Sequence, residues 1–137
     1  PQGLGRTVPL LQETLGEGQK YFSKTTFSCM KEKLIADFIL NSNIENWILL
    51  GIEAHICVLQ TAKDLIAKGK RVIVLNDAIS ARSIFDFSTA IAEMKEEGVR
   101  ISSVETLLFE LLEDAKSPHF KAISELIKNR QACCASS

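Results

Sequence analysis

The chain has 137 residues, 46% of them hydrophobic, with 16 Lys+Arg against 17 Asp+Glu and a formal net charge of −1. That length and apolar content fit one folded domain over residues 1–137. The balanced charge removes the electrostatic case for nucleic acid or an anionic membrane surface as a partner. No apolar run approaches the roughly twenty residues that span a bilayer.

In chain order, residues 1–18 carry Gly3, Gly5, Pro9, Gly16 and Gly18. This composition predicts irregular structure with one helical turn near Leu10 to Thr14. Gln19-Lys-Tyr-Phe22 reads as a short strand. From Ser28, a plausible N-cap, the apolar spacing turns helical at Met30, Leu34, Ile35, Phe38 and Ile39, and Asn41 closes that helix. Trp47-Ile-Leu-Leu50 is a continuous apolar run and predicts a buried strand. The next helix carries Val58, Leu59, Ala62, Leu65 and Ile66 on one face and ends at Gly69. Val72-Ile-Val-Leu75 predicts a second buried strand, followed by Asn76-Asp77. A helix over about 84–97 ends at Gly98, and residues 99–102 form a short third strand. Ser102-x-x-Glu105 reads as a capping box for a helix through Leu112, and Ser117-Pro118 opens a last helix to about Asn129. Residues 131–137 are expected to form a disordered tail.

Strands built of continuous apolar runs, alternating with helices, predict an α/β fold with a parallel sheet covered by helices on both faces. Ligands of such sheets bind beyond the carboxyl ends of the strands. Lys24, the turn Gly51-Ile-Glu-Ala-His-Ile-Cys57 and Asp77 all fall there.

Cys57 is the leading candidate for chemistry. Free cysteine is most often a buried small hydrophobe. A strand-to-helix turn, however, offers backbone N–H donors and a helix dipole that favour negative charge on sulfur and on a developing oxyanion. Gly51 gives the turn room to bend. Lys24, between Phe22 and Phe27, is placed to hold a thiolate or an oxyanion. His55 flanks the cysteine and could be a base, but alternation points it away from Cys57 and favours a structural or substrate-facing role. Asp77, at the end of a strand, could be catalytic or could hydrogen-bond the following loop, the structural role being favoured, and Arg82 with Asp86 is expected to form an ion pair or loop anchor. Cys29 reads as packed, and Cys133 and Cys134 as tail residues. The four cysteines form no CxxC pair, which points to a reducing compartment, the cytoplasm, or a mitochondrion should an N-terminal segment precede Pro1. With only His55 and His119 and no ligand motif, no metal is expected. With no GxxxxGK[ST] or GxGxxG, no nucleotide cofactor is expected either, and a flavodoxin-like nucleotide binder rests on fold analogy alone.

Lys24-Thr-Thr-Phe-Ser28, Gly51-Ile-Glu-Ala-His-Ile-Cys57-Val, Thr61-Ala62, Asp77-Ala-Ile-Ser-Ala-Arg82 and Glu105-Thr-Leu-Leu-Phe-Glu-Leu111 together resemble the isochorismatase-like cysteine hydrolase superfamily, nearest its eukaryotic isochorismatase domain-containing proteins. Their order and spacing over about residues 21–130 carry the resemblance. It implies a Rossmann-like, doubly wound sheet and a Cys–Lys–Asp triad, with Cys57 as nucleophile and Lys24 as its lysine. It also implies a non-proline cis peptide at Ile52–Glu53 that helps build the oxyanion hole. The family's aspartate lies on a first strand, and nothing here matches it. The expectation is therefore an N-terminally truncated domain lacking the first strands. It would be a hydrolase of small amide- or ester-type substrates, impaired by the missing aspartate, and it would form homo-oligomers. The competing expectation is a non-catalytic binding or assembly protein, because an incomplete sheet exposes edges that favour self-association.

Overall fold

The computed structural model describes residues 5–134. After α1 (Pro9–Leu15) the chain runs without regular structure to a 3-10 turn at Cys29–Lys31 and then α2 (Lys33–Leu40). The three strands are β1 (Asn46–Gly51), β2 (Arg71–Ile79) and β3 (Arg100–Ser102). Between and after them lie α3 (Leu59–Ala67), α4 (Ile84–Glu96), α5 (Val104–Leu112) and α6 (Phe120–Cys134).

The strands form one parallel sheet in the order β1-β2-β3, with Trp47 opposite Val72 and Val74 opposite Ile101. Adjacent parallel strands joined by right-handed crossovers place α3 and α4 on the same face. The core accordingly joins Val72 and Val74 of β2 to Leu59, Ala62 and Leu65 of α3 and to Ala90 and Met94 of α4. Leu75, of opposite parity on β2, is buried outside that cluster, with α5 packed against β2 and α6 against α5. Helices thus flank the sheet on both faces at β2. At β1 they do not: Trp47 and Leu49 pack on the core, whereas Ile48 and Leu50 are 43% and 62% exposed.

Several local expectations are corrected. Residues 19–22 form no strand, because no ladder partner lies beside them. Phe22 instead packs on Phe38 with ring centroids 5.5 Å apart, and Lys20 Nζ lies 4.6 Å above the Phe38 ring. Ser28 caps the 3-10 turn, its hydroxyl accepting from Met30 N–H, and Glu32 precedes α2 without a side-chain cap. Asp77 lies within β2, which runs on to Ile79. The cap of α5 is Ser103, accepting from Thr106 N–H, because Ser102 is held in the ladder opposite Leu75. Pro118 precedes the last helix, which begins at Phe120 after a turn closed by Phe120 N–H to Ser117 O. That helix extends to Cys134, beyond the expected end at Asn129, so residues 131–134 are helical. The remainder of the expected tail, 135–137, lies outside the described residues, as do residues 1–4.

Candidate functional site: the cysteine turn and its lysine

β1 ends at Gly51, whose φ of 140° is open to glycine and strained for any residue with a side chain. The register shifts there, Gly51 pairing with Ile79 where Leu49 pairs with Val74. Glu53 then adopts the left-handed conformation, φ 60° and ψ 55°, at a cost of about 1–2 kcal/mol for an L-residue. The reversal of chain direction falls on these two residues. The cis bond expected at Ile52–Glu53 is absent, every peptide bond among the described residues being trans.

Beyond Glu53 the chain makes one turn of π-helix, Ala54–Val58, before α3. The Glu53 carbonyl accepts from Ile56 N–H at 3.0 Å and Val58 N–H at 3.4 Å, on either side of Cys57. Single π-turns recur at functional sites because they re-aim a side chain that a regular helix would turn away. Ala54 and Val58 are buried, while Cys57 remains partly exposed with a free thiol.

Lys24 reaches this thiol from a loop 33 residues earlier. Its Nζ lies 3.8 Å from Cys57 Sγ and donates to the carbonyls of Thr26 at 2.7 Å and Phe27 at 2.9 Å. The loop is anchored next to the cysteine. Ser28 is 2% exposed, and Cys29 N–H donates to Thr61 Oγ1 at 3.0 Å, one helical turn beyond Cys57. Nothing in the sequence pattern pointed to Thr61 as an anchor beyond its place beside Ala62 in the motif.

The other candidates divide. His55 sits beside Glu53, its Nε2 3.8 Å from Oε2, and its Nδ1 is buried without a partner. No hydrogen bond joins it to Cys57. Arg82 does not pair with Asp86 as expected. Asp86 is taken by Ser83, whose hydroxyl donates to Asp86 Oδ2 and accepts from Asp86 N–H. Arg82 instead donates from Nε and Nη2 to Glu53 Oε1 at 3.2 and 3.0 Å. Asp77 accepts from Val104 N–H at 2.9 Å and Arg130 Nη1 at 2.8 Å, tying β2 to α5 and α6 rather than joining Lys24. Burial alone would raise the Asp77 pKa. The Val104 N–H and the Arg130 guanidinium outweigh it and hold the carboxyl below its ordinary value. The Arg130 contact was not legible, because it lies 53 residues away in sequence.

Among the described residues no carboxylate pairs with Lys24, and no three of His, Cys, Asp and Glu gather to hold a metal ion. No helix among them is long and apolar enough to cross a membrane.

Comparison with known proteins places these features in a family. The isochorismatase domain profile matches residues 4–106. Isochorismatase domain-containing protein 2 of Danio rerio is 39% identical over 93% of this chain and 63% of its own length. Its Homo sapiens counterpart is 41% identical over 93% of this chain and 60% of its own. A solved structure described as the MAR1 ribonuclease of Caenorhabditis elegans superposes with a TM-score of 0.84 at 41% identity, over 93% of this chain and 65% of that one. The chain thus spans about three-fifths of the length of the curated relatives it matches. From the profile over most of the chain and from relatives near 40% identity, we conclude that the chain belongs to the isochorismatase domain family.

Proposed function

We propose that this chain carries the nucleophile half of a hydrolase site for small amide- or ester-type carbonyl compounds. The observation that supports it most is Lys24 Nζ within 3.8 Å of a partly exposed thiol at a strained strand-to-helix turn. In this reading Cys57 Sγ attacks the carbonyl carbon, and a C–S bond forms as the carbonyl π electrons move onto oxygen. Lys24 and the backbone N–H groups of the turn stabilise that oxyanion. Collapse breaks the C–N or C–O bond, the leaving group takes up, through solvent, the proton that the thiol gave up, and a thioester remains. Water cleaves it to the carboxylic acid and the free thiol. Exposed Phe27 and Ile52 beside the turn favour a substrate with an apolar flank.

Family membership supports hydrolysis. The described residues bring no carboxylate to Lys24 to move protons, so this chain alone is expected to acylate readily and turn over slowly. The test is a panel of small amides and esters followed by intact mass. Acylation confined to Cys57 and lost in Cys57→Ser supports the reading, and an unchanged rate in Cys57→Ser refutes it. The nematode relative is named a ribonuclease; with 16 basic and 17 acidic residues this chain offers no net attraction for an RNA backbone, and small carbonyl compounds are the substrates proposed.

The uncovered β1 face supports self-association. Ile48 and Leu50 are apolar and exposed, on a strand with no neighbour at its outer edge among the described residues. The free thiols of Cys29 and Cys57 fit a reducing compartment such as the cytoplasm or a mitochondrion.

A further inference from the structure

The loop that follows β2 is bonded to the cysteine turn at three points. Ser80 N–H donates to the Gly51 carbonyl at 3.3 Å, and the Ser80 carbonyl accepts from Ala54 N–H at 2.7 Å. Two residues on, Arg82 places Nε and Nη2 on one oxygen of Glu53. The first two contacts bracket the strained residues, and the third grips Glu53 itself.

Glu53 needs such a grip. Its backbone is left-handed, which a glutamate does not favour, and its carbonyl organises the π-turn on both sides of Cys57. Its side chain is only 19% exposed, and its second oxygen is buried without a hydrogen bond, facing His55 Nε2 at 3.8 Å. A carboxylate so placed is tolerated when a cation satisfies its other oxygen. Without that cation it would turn out to water, and the backbone would be free to leave the left-handed region. Arg82 is itself 80% exposed, so the pair adds little to overall stability. Its consequence falls on the geometry of one turn.

We propose that Arg82 is a positioning residue for the nucleophile: acting through Glu53, it holds the π-turn in the conformation that presents Cys57 to Lys24. This rests on the reading of Cys57 as a nucleophile. It adds a regulating contact from a loop that carries no reacting group.

The experiment compares iodoacetamide labelling of Cys57, with Cys29 as internal reference, and amide hydrogen exchange over residues 54–59. The proteins are wild type, Arg82→Ala, Arg82→Lys, Glu53→Gly and the double variant Glu53→Gly with Arg82→Ala. Arg82→Ala is expected to slow Cys57 labelling about three- to tenfold and to speed exchange in the turn, with Cys29 unchanged. Arg82→Lys restores part of both. In the Glu53→Gly background, where no left-handed penalty and no buried carboxylate remain, removal of Arg82 has no further effect. Unchanged exchange and labelling in Arg82→Ala overturn the proposal. So does an equal loss in the Glu53→Gly background, which would mean that Arg82 acts on the thiol directly. If wild-type Cys57 labels no faster than Cys29, the nucleophile reading fails, and with it the role given to Arg82. Altered exchange in Arg82→Ala would then report a structural tether only.

Discussion

Replacing Lys24 by methionine keeps the length and apolar stem of the side chain and removes its charge. The structure sets the size of the effect. Two unit charges 3.8 Å apart attract by about 1 kcal/mol in water and about 4 kcal/mol at an effective dielectric near 20. Lys24 and Cys57 are both partly exposed, which places the pair between these limits. Even the lower half of that range corresponds to about tenfold in the rate of a reaction that passes through the thiolate. Lys24→Met is therefore expected to slow iodoacetamide labelling of Cys57 by about tenfold near neutral pH, and Lys24→Arg by less. Cys29, whose backbone is held by Thr61, should label at its wild-type rate and serves as reference within each sample. The same substitution removes two bonds to the carbonyls of Thr26 and Phe27, so circular dichroism must show that the fold persists. A folded Lys24→Met protein whose Cys57 labels as fast as wild type would refute the reasoning, because the cation beside the thiol would then have no influence on its reactivity.

Gly51→Ala meets no atom within 4 Å of the added Cβ, so its whole cost is conformational. The expected loss is about 1–3 kcal/mol, read as a melting temperature lower by several degrees. The Asp77 pKa is below its ordinary value of 3.8, so the carboxylate contributes stability that is complete above that value and lost as pH falls through the lower folded one. Urea midpoints should accordingly drop in acid for the wild type and change less over that window in Asp77→Asn, which should be the less stable protein near neutrality. If the site lacks a proton-accepting carboxylate, sodium formate at constant ionic strength should raise the turnover of a Cys57 acyl-enzyme in a concentration-dependent way. A flat response would show that proton transfer does not limit the step. Ile48 and Leu50 are already partly buried, so covering what remains between copies would contribute about 1 kcal/mol per side chain. Substituting both by lysine should therefore shift sedimentation toward the monomer.

The two longer strands were legible because each contains a continuous apolar run, whereas β3 is only Arg100-Ile-Ser102. β1 and β2 fall where Trp47 to Leu50 and Val72 to Leu75 predict them, and the helices end at Gly69 and Gly98 as expected. What misled was local pattern without its tertiary partner. Residues 19–22 read as a short strand but find no ladder. Ser102 and Ser103 each stand three residues before a capping partner, and the pairing of Ser102 with Leu75 decides between them. Arg82 lies four residues before Asp86, a spacing that favours an ion pair on a helix. Ser83, however, caps α4 and engages Asp86 itself, which leaves Arg82 to reach Glu53 across 29 residues. Cys57 and Lys24 were legible as candidates, whereas the π-turn was not, because it depends on backbone bonds to Ser80 that no side-chain pattern encodes.

The distribution of these contacts bears on how the site works. Lys24 is held by its own loop, through the carbonyls of Thr26 and Phe27, and that loop is fixed to α3 through Thr61. Cys57 is held by a turn that depends on the end of β2, through Ser80 and Arg82. The lysine and the thiol are thus positioned by different sets of bonds, which join at α3 through Thr61 and at the 3.8 Å contact itself. Loosening either set should move one partner without unfolding the other, so substitutions at Thr61 and at Arg82 should both weaken the contact. Because residues in different networks perturb the same distance from opposite sides, their effects on Cys57 labelling should be less than additive once the contact is lost. A Thr61→Val, Arg82→Ala double variant that loses the full product of the two single losses would show instead that each side acts on the thiol independently.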